Sequence, residues 1–591
     1  MAAVEQLITD NIATWAQAVQ KRNATGRGSS KKIELYGIKK LRALILELAV
    51  RGKLVPQDSE DEPASVLLER IAAEKKLLVK EKKIKKQKEL STISESDKPF
   101  ELPQNWKFCR LNDLTIAAEA GWSPQCELHP REGNNWGVLK VSAVTWGVYK
   151  PKENKELPQA LEPRPKYEVK SGDFLISRAN TAELVAKAVV VPENAPKYLM
   201  MSDKIIRFQF SKTVSSHYIN LVNNSMFSRS YYAQVAGGTS SSMKNVSQGQ
   251  VRNLIVALPP LAEQHRIVTK VNELMSLCDQ LEQQTETSLT AHTSLVENLL
   301  ATLTSSTDAA ELEQNWHRIA EHFTTLFTTE SSIDQLKQTV LQLAVMGKLV
   351  PQDPNDQPAS VLLEKIAAEK EQLIKEKKIK KQKALPPIGE DEKPFGLPDG
   401  WEWSRFSEVA YSRLGKMLDK AKDQGESKKY LRNTNVQWQK IDLLDIKEMK
   451  FEHAELQEFE LHKGDLLICE GGEPGRCAIW QHDNIDIYFQ KALHRARTYT
   501  GVIPEYLEIC LMVDAANDSL AQLFTGATIK HLTGDKLSRH IISIPPSGEQ
   551  ARIISQALQL STLCNHLKTH LQQAQQTRLH LADAMVEKAL G

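Results

Sequence analysis

The sequence predicts an α+β protein built twice: two mixed α/β globular heads separated by long antiparallel coiled-coil helices, in a pseudo-two-fold internal repeat. Three observations predict it. "LAVRGKLVPQD" from Leu48 returns as "LAVMGKLVPQD" from Leu343, 295 positions later. "ALPPLAEQHRI" from Ala257 and "SIPPSGEQARI" from Ser543 open two stretches whose apolar residues keep the same 4, 3, 4, 3 spacing. Between these helical parts, short β-rich runs are cut apart by Gly, Pro and Asn. At offset 295 the first match covers residues 48–88, with 33 of 41 positions identical. It returns at "KPFELPQNWKF", which faces "KPFGLPDGWEW", and aligns Trp106 with Trp401. The later match has an offset of 286, so the second globular segment is nine residues shorter. A period this long is an internal duplication, not a solenoid repeat.

Five parts follow in order: a helical region at 1–104, a head at 105–258, a central helical spacer at 259–400, a second head at 401–545, and a C-terminal helix at 546–591 that pairs with the central one. In the first region, residues 63–88 read as a helix with Pro63 at its start. The apolar series after each head is Ile267, Val271, Leu274, Cys278, Leu281 and then Ile553, Ala557, Leu560, Cys564, Leu567. Each is an a/d seam that needs a partner helix, and the duplicate is an available one. A helix of about 40 residues is roughly 60 Å long. The heads carry strand-like runs such as "GDFLIS", "KAVVVP", "GDLLIC" and "CAIW". The helical parts stay nearly identical while the heads diverge. That contrast suits identical partners on the frame and two different ligands on the heads.

Composition excludes several classes. The net charge of +2 gives no global basic field. Seven cysteines without a CxxC pair suit a reducing, cytoplasmic setting. The N-terminal residues do not read as a signal peptide, and no stretch is long and apolar enough to span a membrane.

"LAVRGKLVPQD", "LPQNWKF" and "ALPPLAEQHRI", each present twice, resemble the specificity subunit of type I restriction-modification systems over essentially the whole chain. The resemblance implies that the heads are target-recognition domains, each reading half of a bipartite, asymmetric double-stranded DNA site. It implies helices that set the half-site spacing and dock two methyltransferase subunits, with restriction (translocase) subunits joining the complex. It implies no cofactor on this chain, and S-adenosylmethionine, ATP and Mg on the partner subunits. The copy of the "GKLVPQD" element near the N-terminus resembles one branch of the family.

The residues themselves supply candidates. "SRANTAE" (177–183) puts Arg178 and Asn180 on a loop after "GDFLI"; "CEGGEPGR" (469–476) does the same for Gly472 and Arg476. Arg suits guanine and Asn suits adenine in the major groove. "TSSSMKN" supplies Thr239, Lys244 and Asn245; "TIKH" supplies Thr528, Lys530 and His531. Lys140 and Arg432 occupy matched positions and could touch phosphate. Loop polarity or an ordinary surface turn would explain any one of these stretches. The run 74–88 has eight lysines and two glutamates, for which a solvated helix face is the stronger reading and a partner surface the next. Cys278 and Cys564 act as small apolar residues.

No catalytic residue emerges. There is no P-loop, and "GKML" at Gly415 lacks both the preceding Gly and the following Ser or Thr. There is no Asn-Pro-Pro-aromatic stretch, no glycine loop of a nucleotide fold, and no zinc spacing. Asp399, Glu448 and Lys450 mimic a nuclease pattern, but Asp399 belongs to the repeated turn before Trp401. The rivals to a DNA-reading adaptor are a methyltransferase or nuclease with a disguised site, and a coiled-coil scaffold whose heads bind protein.

Overall fold

The structure, a computed structural model, describes residues 8–21, 33–87, 90–145, 147–238, 243–382, 384–419, 424–483, 485–526 and 530–590. Contacts divide the chain into two units, Met1–Ser288 with Ala574–Gly591, and Leu289–Gln573. Six helices form the frame: α1 (Tyr36–Val50), α2 (Ala64–Lys80), α3 (Leu261–Ser305), α4 (Glu330–Val345), α5 (Ala359–Lys375) and α6 (Ser547–Leu590).

The two long helices have 45 and 44 residues. Each gives its first half to the unit of the head it follows and its tail to the other unit. In the first unit α3 runs antiparallel to α1: Arg42 meets Asp279 at 2.6 Å and Glu282 at 2.7 Å, while Gln57 meets Glu263 at 3.1 Å. The tail of α6 runs parallel to α1, with Tyr36 Oη 2.8 Å from Asp583 and Arg51 donating to the Leu590 carbonyl at 3.3 Å. The second unit repeats this with the roles exchanged. Lys568 holds Asp334 at 2.8 Å against α6, and Gln335 and Lys348 reach Glu297 and the Thr304 carbonyl of α3 at 3.0 and 2.8 Å. In both units the long helices therefore run antiparallel to each other.

The apolar series have a different immediate partner from the one their spacing suggests. Ile267, Val271, Leu274 and Cys278 are buried in one core with Ile38, Leu41, Leu44, Ile45 and Leu48 of α1, and Leu281 packs beside them. Cys564, Leu560 and Leu567 pack with Ile333, Leu336, Val340 and Leu343 of α4. Ile553 and Ala557 join Leu341 and Val345. No core contains both series. The seam is covered by the short helix that leads into the duplicated eleven residues, which presents its own apolar stripe although a whole head separates it from the long helix in the chain. The C-terminal helix meets the first core with Ala582, Met585 and Val586 instead.

This packing explains why the eleven residues recur. Leu48, Ala49, Val50, Leu54 and Val55 are buried. Gly52 has φ +68°, and an added Cβ would stand 2.5 Å from the Pro103 ring; Gly347, at φ +69°, would meet Pro398 at 2.4 Å. Glu263 accepts from Trp106 Nε1 at 2.9 Å and Glu549 from Trp401 Nε1 at 3.0 Å, both buried. Gln264 and Gln550 each take a head backbone N–H at 2.9 Å, from Ser215 and Ile503. Arg266 and Arg552 pair with Asp61 and Asp356 at 2.6 Å. The repeated "EQxR" is thus a clasp from helix to head. Two boundaries differ from expectation. Helix α2 stops at Lys80, because Lys82 turns left-handed at φ +57°. Residues 179–180, expected in a loop, form a short strand.

The heads have the same topology. In the first, strands β1 (Thr115–Ala120), β2 (Phe174–Ser177), β3 (Ala188–Val190) and β4 (Ile205–Phe210) form an antiparallel sheet in the order β1-β4-β2-β3. In the second, β5 (Ala410–Leu414), β6 (Leu466–Cys469), β7 (Cys477–Ile479) and β8 (Leu493–Thr498) repeat it as β5-β8-β6-β7. Strands β2 and β6 are buried along their whole length, as continuous apolar runs require. Each head adds a three-stranded sheet. Gly137–Leu139 lies between parallel Leu199–Met200 and antiparallel Asn154–Glu156, and Glu426–Leu431 lies between parallel Ile487–Phe489 and antiparallel Lys447–Phe451. The matched Asp173 and Asp465 pair with Arg207 and Arg497, at 2.8 and 2.7 Å. All seven cysteines are free thiols.

Candidate nucleic-acid interface

The candidate stretches of each head, far apart in sequence, meet at one end of its main sheet. In the first head the Arg178 N–H donates to the Lys204 carbonyl at 2.7 Å, and the Arg178 carbonyl accepts from Val246 at 2.9 Å. Ala179–Asn180 pairs antiparallel with Lys244–Asn245. Asn245 exchanges both backbone hydrogen bonds with Gly237 at 2.9 Å. These short strands form a lip beyond the carboxyl end of β2. Asn180 Nδ2 donates to Thr145 Oγ1 at 3.2 Å, which brings in the turn that starts at Lys140.

The second head builds the same lip. Gly471 pairs with His531, and His531 exchanges backbone bonds with Thr525 at 2.9 Å. Ala179 with Asn245 and Gly471 with His531 are equivalent positions of the repeat, so the register is the same. Leu532 N–H donates to the Glu470 carbonyl at 2.8 Å, and His494 Nε2 lies 2.8 Å from the Leu532 carbonyl. Burial holds the His494 imidazole below its usual pKa, so the ring is neutral and its Nε2–H donates. Asn433 Nδ2 donates to the Gly471 carbonyl at 3.0 Å and brings in the turn of Arg432. Gly472, at φ +84°, leaves room for that amide: a Cβ would stand 2.6 Å from Asn433 Nδ2.

The polar groups differ between the heads. Arg178 and Asn245 are exposed, and Asn180 and Lys244 half-buried. Lys244 Nζ donates to the Gly238 carbonyl at 2.6 Å, and Lys140 lies 3.8 Å from Glu153. In the second head carboxylates stand beside the basic groups. Arg432 holds Asp445 at 2.6 Å, and with Lys447 keeps that carboxylate below its ordinary pKa. Arg476 meets Glu473 at 2.9 Å and the Asn433 carbonyl at 2.8 Å. His531 lies 3.3 Å from Glu470. Arg432 and Arg476 therefore fasten loops together, while Lys530 is exposed. Thr239 and Thr528 lie outside the described residues.

Sequence reasoning missed Asn433, Glu470, Glu473 and Trp438, whose Nε1 donates to Glu473 at 3.0 Å. The clue was available for Asn433, which follows Arg432 at the position matched to Lys140. Nothing local announced that Gly237 or Thr525 would complete the lip. Chemically, the arrangement offers amide, guanidinium and ammonium groups on a stiff, exposed edge, suited to base edges and phosphates. Among the described residues no group of His, Cys, Asp and Glu could hold a metal ion. Among them, too, no helix is long and apolar enough to cross a membrane.

The model of the type I restriction modification DNA specificity domain matches residues 103–291 and 398–575, once over each head and the helix that follows it. The chain belongs to this family. It is a type I specificity subunit, the non-catalytic component that recognises DNA sequence through two repeated domains. It is 40% identical to the specificity subunit of the type I restriction enzyme EcoAI and 39% identical to that of EcoEI, both from Escherichia coli, with 100% of each chain covered. A solved structure of the HsdS subunit from Thermoanaerobacter tengcongensis is 18% identical, covers 83% of this chain and 98% of its own, and has a TM-score of 0.41.

Proposed function

We propose that each head reads one half of a bipartite, asymmetric DNA site with its three-segment lip. In this reading Arg178, Asn180, Lys244 and Asn245 face the first half-site, and Gly472, Lys530 and His531 the second, with Lys140, Arg432 and Arg476 shaping or flanking the contact. The carrying observation is the identical lip register in two heads whose lip residues differ: one scaffold, two sets of side chains. The long helices set the gap between half-sites, and the duplicated frame docks two methyltransferase subunits. Restriction subunits join through them. S-adenosylmethionine, ATP and Mg serve those partners, and the complex works in the cytoplasm.

The test is strand-specific methylation mapping of DNA from cells that express the chain with its methyltransferase. A two-part asymmetric motif is expected. Substituting Asn245→Ala should relax the motif at one half only. Relaxation of both halves, or a single undivided motif, would refute the reading. Methylation or cleavage by the purified chain alone, given Mg²⁺ and S-adenosylmethionine, would favour a disguised catalytic site.

A further inference from the structure

The duplicated run "KEKKIKKQK" keeps all nine residues identical at 80–88 and 375–383. Burial does not explain this. Lys82, Lys83, Lys85 and Lys86 are exposed, as are Lys377, Lys378, Lys380 and Lys381. Elsewhere in the same 41-residue match, exposed positions have changed: Ser59 to Pro354, Glu60 to Asn355, Glu62 to Gln357, Arg70 to Lys365, Lys76 to Glu371 and Leu77 to Gln372. Gln57, Ser65 and Glu69 are exposed and kept too, but the nine residues are the longest unbroken identical stretch of the match, which points to a contact.

The backbone points the same way. Helices α2 and α5 both end on a lysine in the left-handed region, Lys82 at φ +57° and Lys377 at φ +56°. Glycine fills such a position without strain and is the usual occupant. The lysine is kept twice, so its side chain has a use that its backbone conformation does not provide. Each bracket is anchored by one half-buried isoleucine, Ile84 or Ile379, which leaves the ammonium groups outward.

In the first unit the bracket borders a groove of about 1800 Å³ between α2 and the strap 90–108. Leu68, Val79, Ile84, Phe100 and Phe108 give it an apolar floor, and on its rim Lys76, Lys85, Lys86, Lys98 and Lys107 outnumber Glu95, Glu101 and Asp113. In the second unit the matched strap residues Lys393, Phe395 and Trp403 line a groove of about 890 Å³ with Glu390, Glu402 and Glu408, and the bracket lysines lie outside its lining. Gln87 donates to the Thr115 and Ile116 carbonyls, at the end of β1 farthest from the lip. The bracket thus stands away from the edge proposed to meet DNA.

We infer that each lysine bracket docks an acidic segment of the same partner polypeptide, one copy per unit, and that in the first unit the neighbouring groove takes that segment's apolar face. The first groove, apolar inside a mainly cationic rim, fits an apolar face edged with Asp and Glu, and identical brackets fit two copies of one partner. With the function proposed above, on which this inference rests, that partner is the methyltransferase subunit.

The test uses the full chain co-expressed with the methyltransferase subunit of its own restriction system and weighed as an intact complex. Charge reversal of Lys82, Lys85 and Lys86 to Glu should lower the ratio from two methyltransferases per chain to one. Reversal of Lys377, Lys380 and Lys381 should do the same, and the combined variant should bind none. Arginine at the same six positions should restore the ratio of two, which separates lost charge from lost folding. A ratio of two in the combined glutamate variant overturns the docking surface while leaving the proposed function intact. A wild-type chain that binds no methyltransferase overturns both.

Discussion

Glu508 is the residue whose chemistry is most out of place in the second head. It lies on the helix Pro504–Ala516, and one carboxylate oxygen has no hydrogen-bond partner. Burial, with the nearby Glu505, pushes its pKa up to about 7. A carboxyl whose pKa is raised by folding costs nothing below its unfolded value near 4.5, and costs most once the pH passes its folded value. Stability should therefore fall as the pH rises from about 4.5 to 7 and then level off, by about 3 kcal/mol at most. Glu508→Gln should flatten that slope and raise the melting temperature at pH 8; an unchanged slope would show that the carboxyl is hydrated. Glu263 is a second residue with a local task. Glu263→Ala would leave the buried Trp106 N–H without an acceptor, which costs about 1–3 kcal/mol. Denaturant unfolding should show that loss, and Glu549→Ala should show a matching one.

Among the elements, the lip depends on close backbone approach. Gly472→Ala combines a left-handed φ with a Cβ placed against the Asn433 amide. Methylation mapping should show the second half-site degraded and the first unaltered. The strands that support the lip were legible in the sequence: "GDFLI" and "GDLLI" are short apolar runs bounded by turn residues, and they became β2 and β6. The frame helices were legible from their 3.6-residue periodicity and their duplication. The lip was only half legible. Residues 178–180 and 244–245 stood out for their chemistry, but their pairing spans more than sixty residues and follows from sheet order, which no local pattern encodes. The long helices do share a core in each unit, but the apolar series also take a second partner. An a/d stripe says that a helix needs a partner, not which one, and α1 and α4 carry matching stripes of their own. Arg432 and Arg476 looked like free donors because their acid partners, Asp445 and Glu473, sit in loops whose shape only the fold determines.

At the scale of the whole molecule, the spacer role proposed for the long helices makes the distance between half-sites a matter of helix length. Inserting four residues into both α3 and α6 where the units divide, after Ser288 and after Gln573, adds about 6 Å of helix. Methylation mapping should then show the same two half-sites with the gap widened by about two base pairs; an unaltered gap would refute the helices as spacers. Deleting residues 574–591 removes Asp583, Met585 and Val586 from the first unit's core. Amide exchange should speed up in α1 while α4 stays protected.

The sharing of helix tails also sets an order of events during synthesis. The first unit has nearly all its residues once Ser288 leaves the ribosome, yet the segment that closes its core is made only after the whole second unit. At about 5–20 residues per second, that delay is on the order of tens of seconds. Through it the nascent chain carries an open apolar stripe on α1, and chaperones have their longest access there.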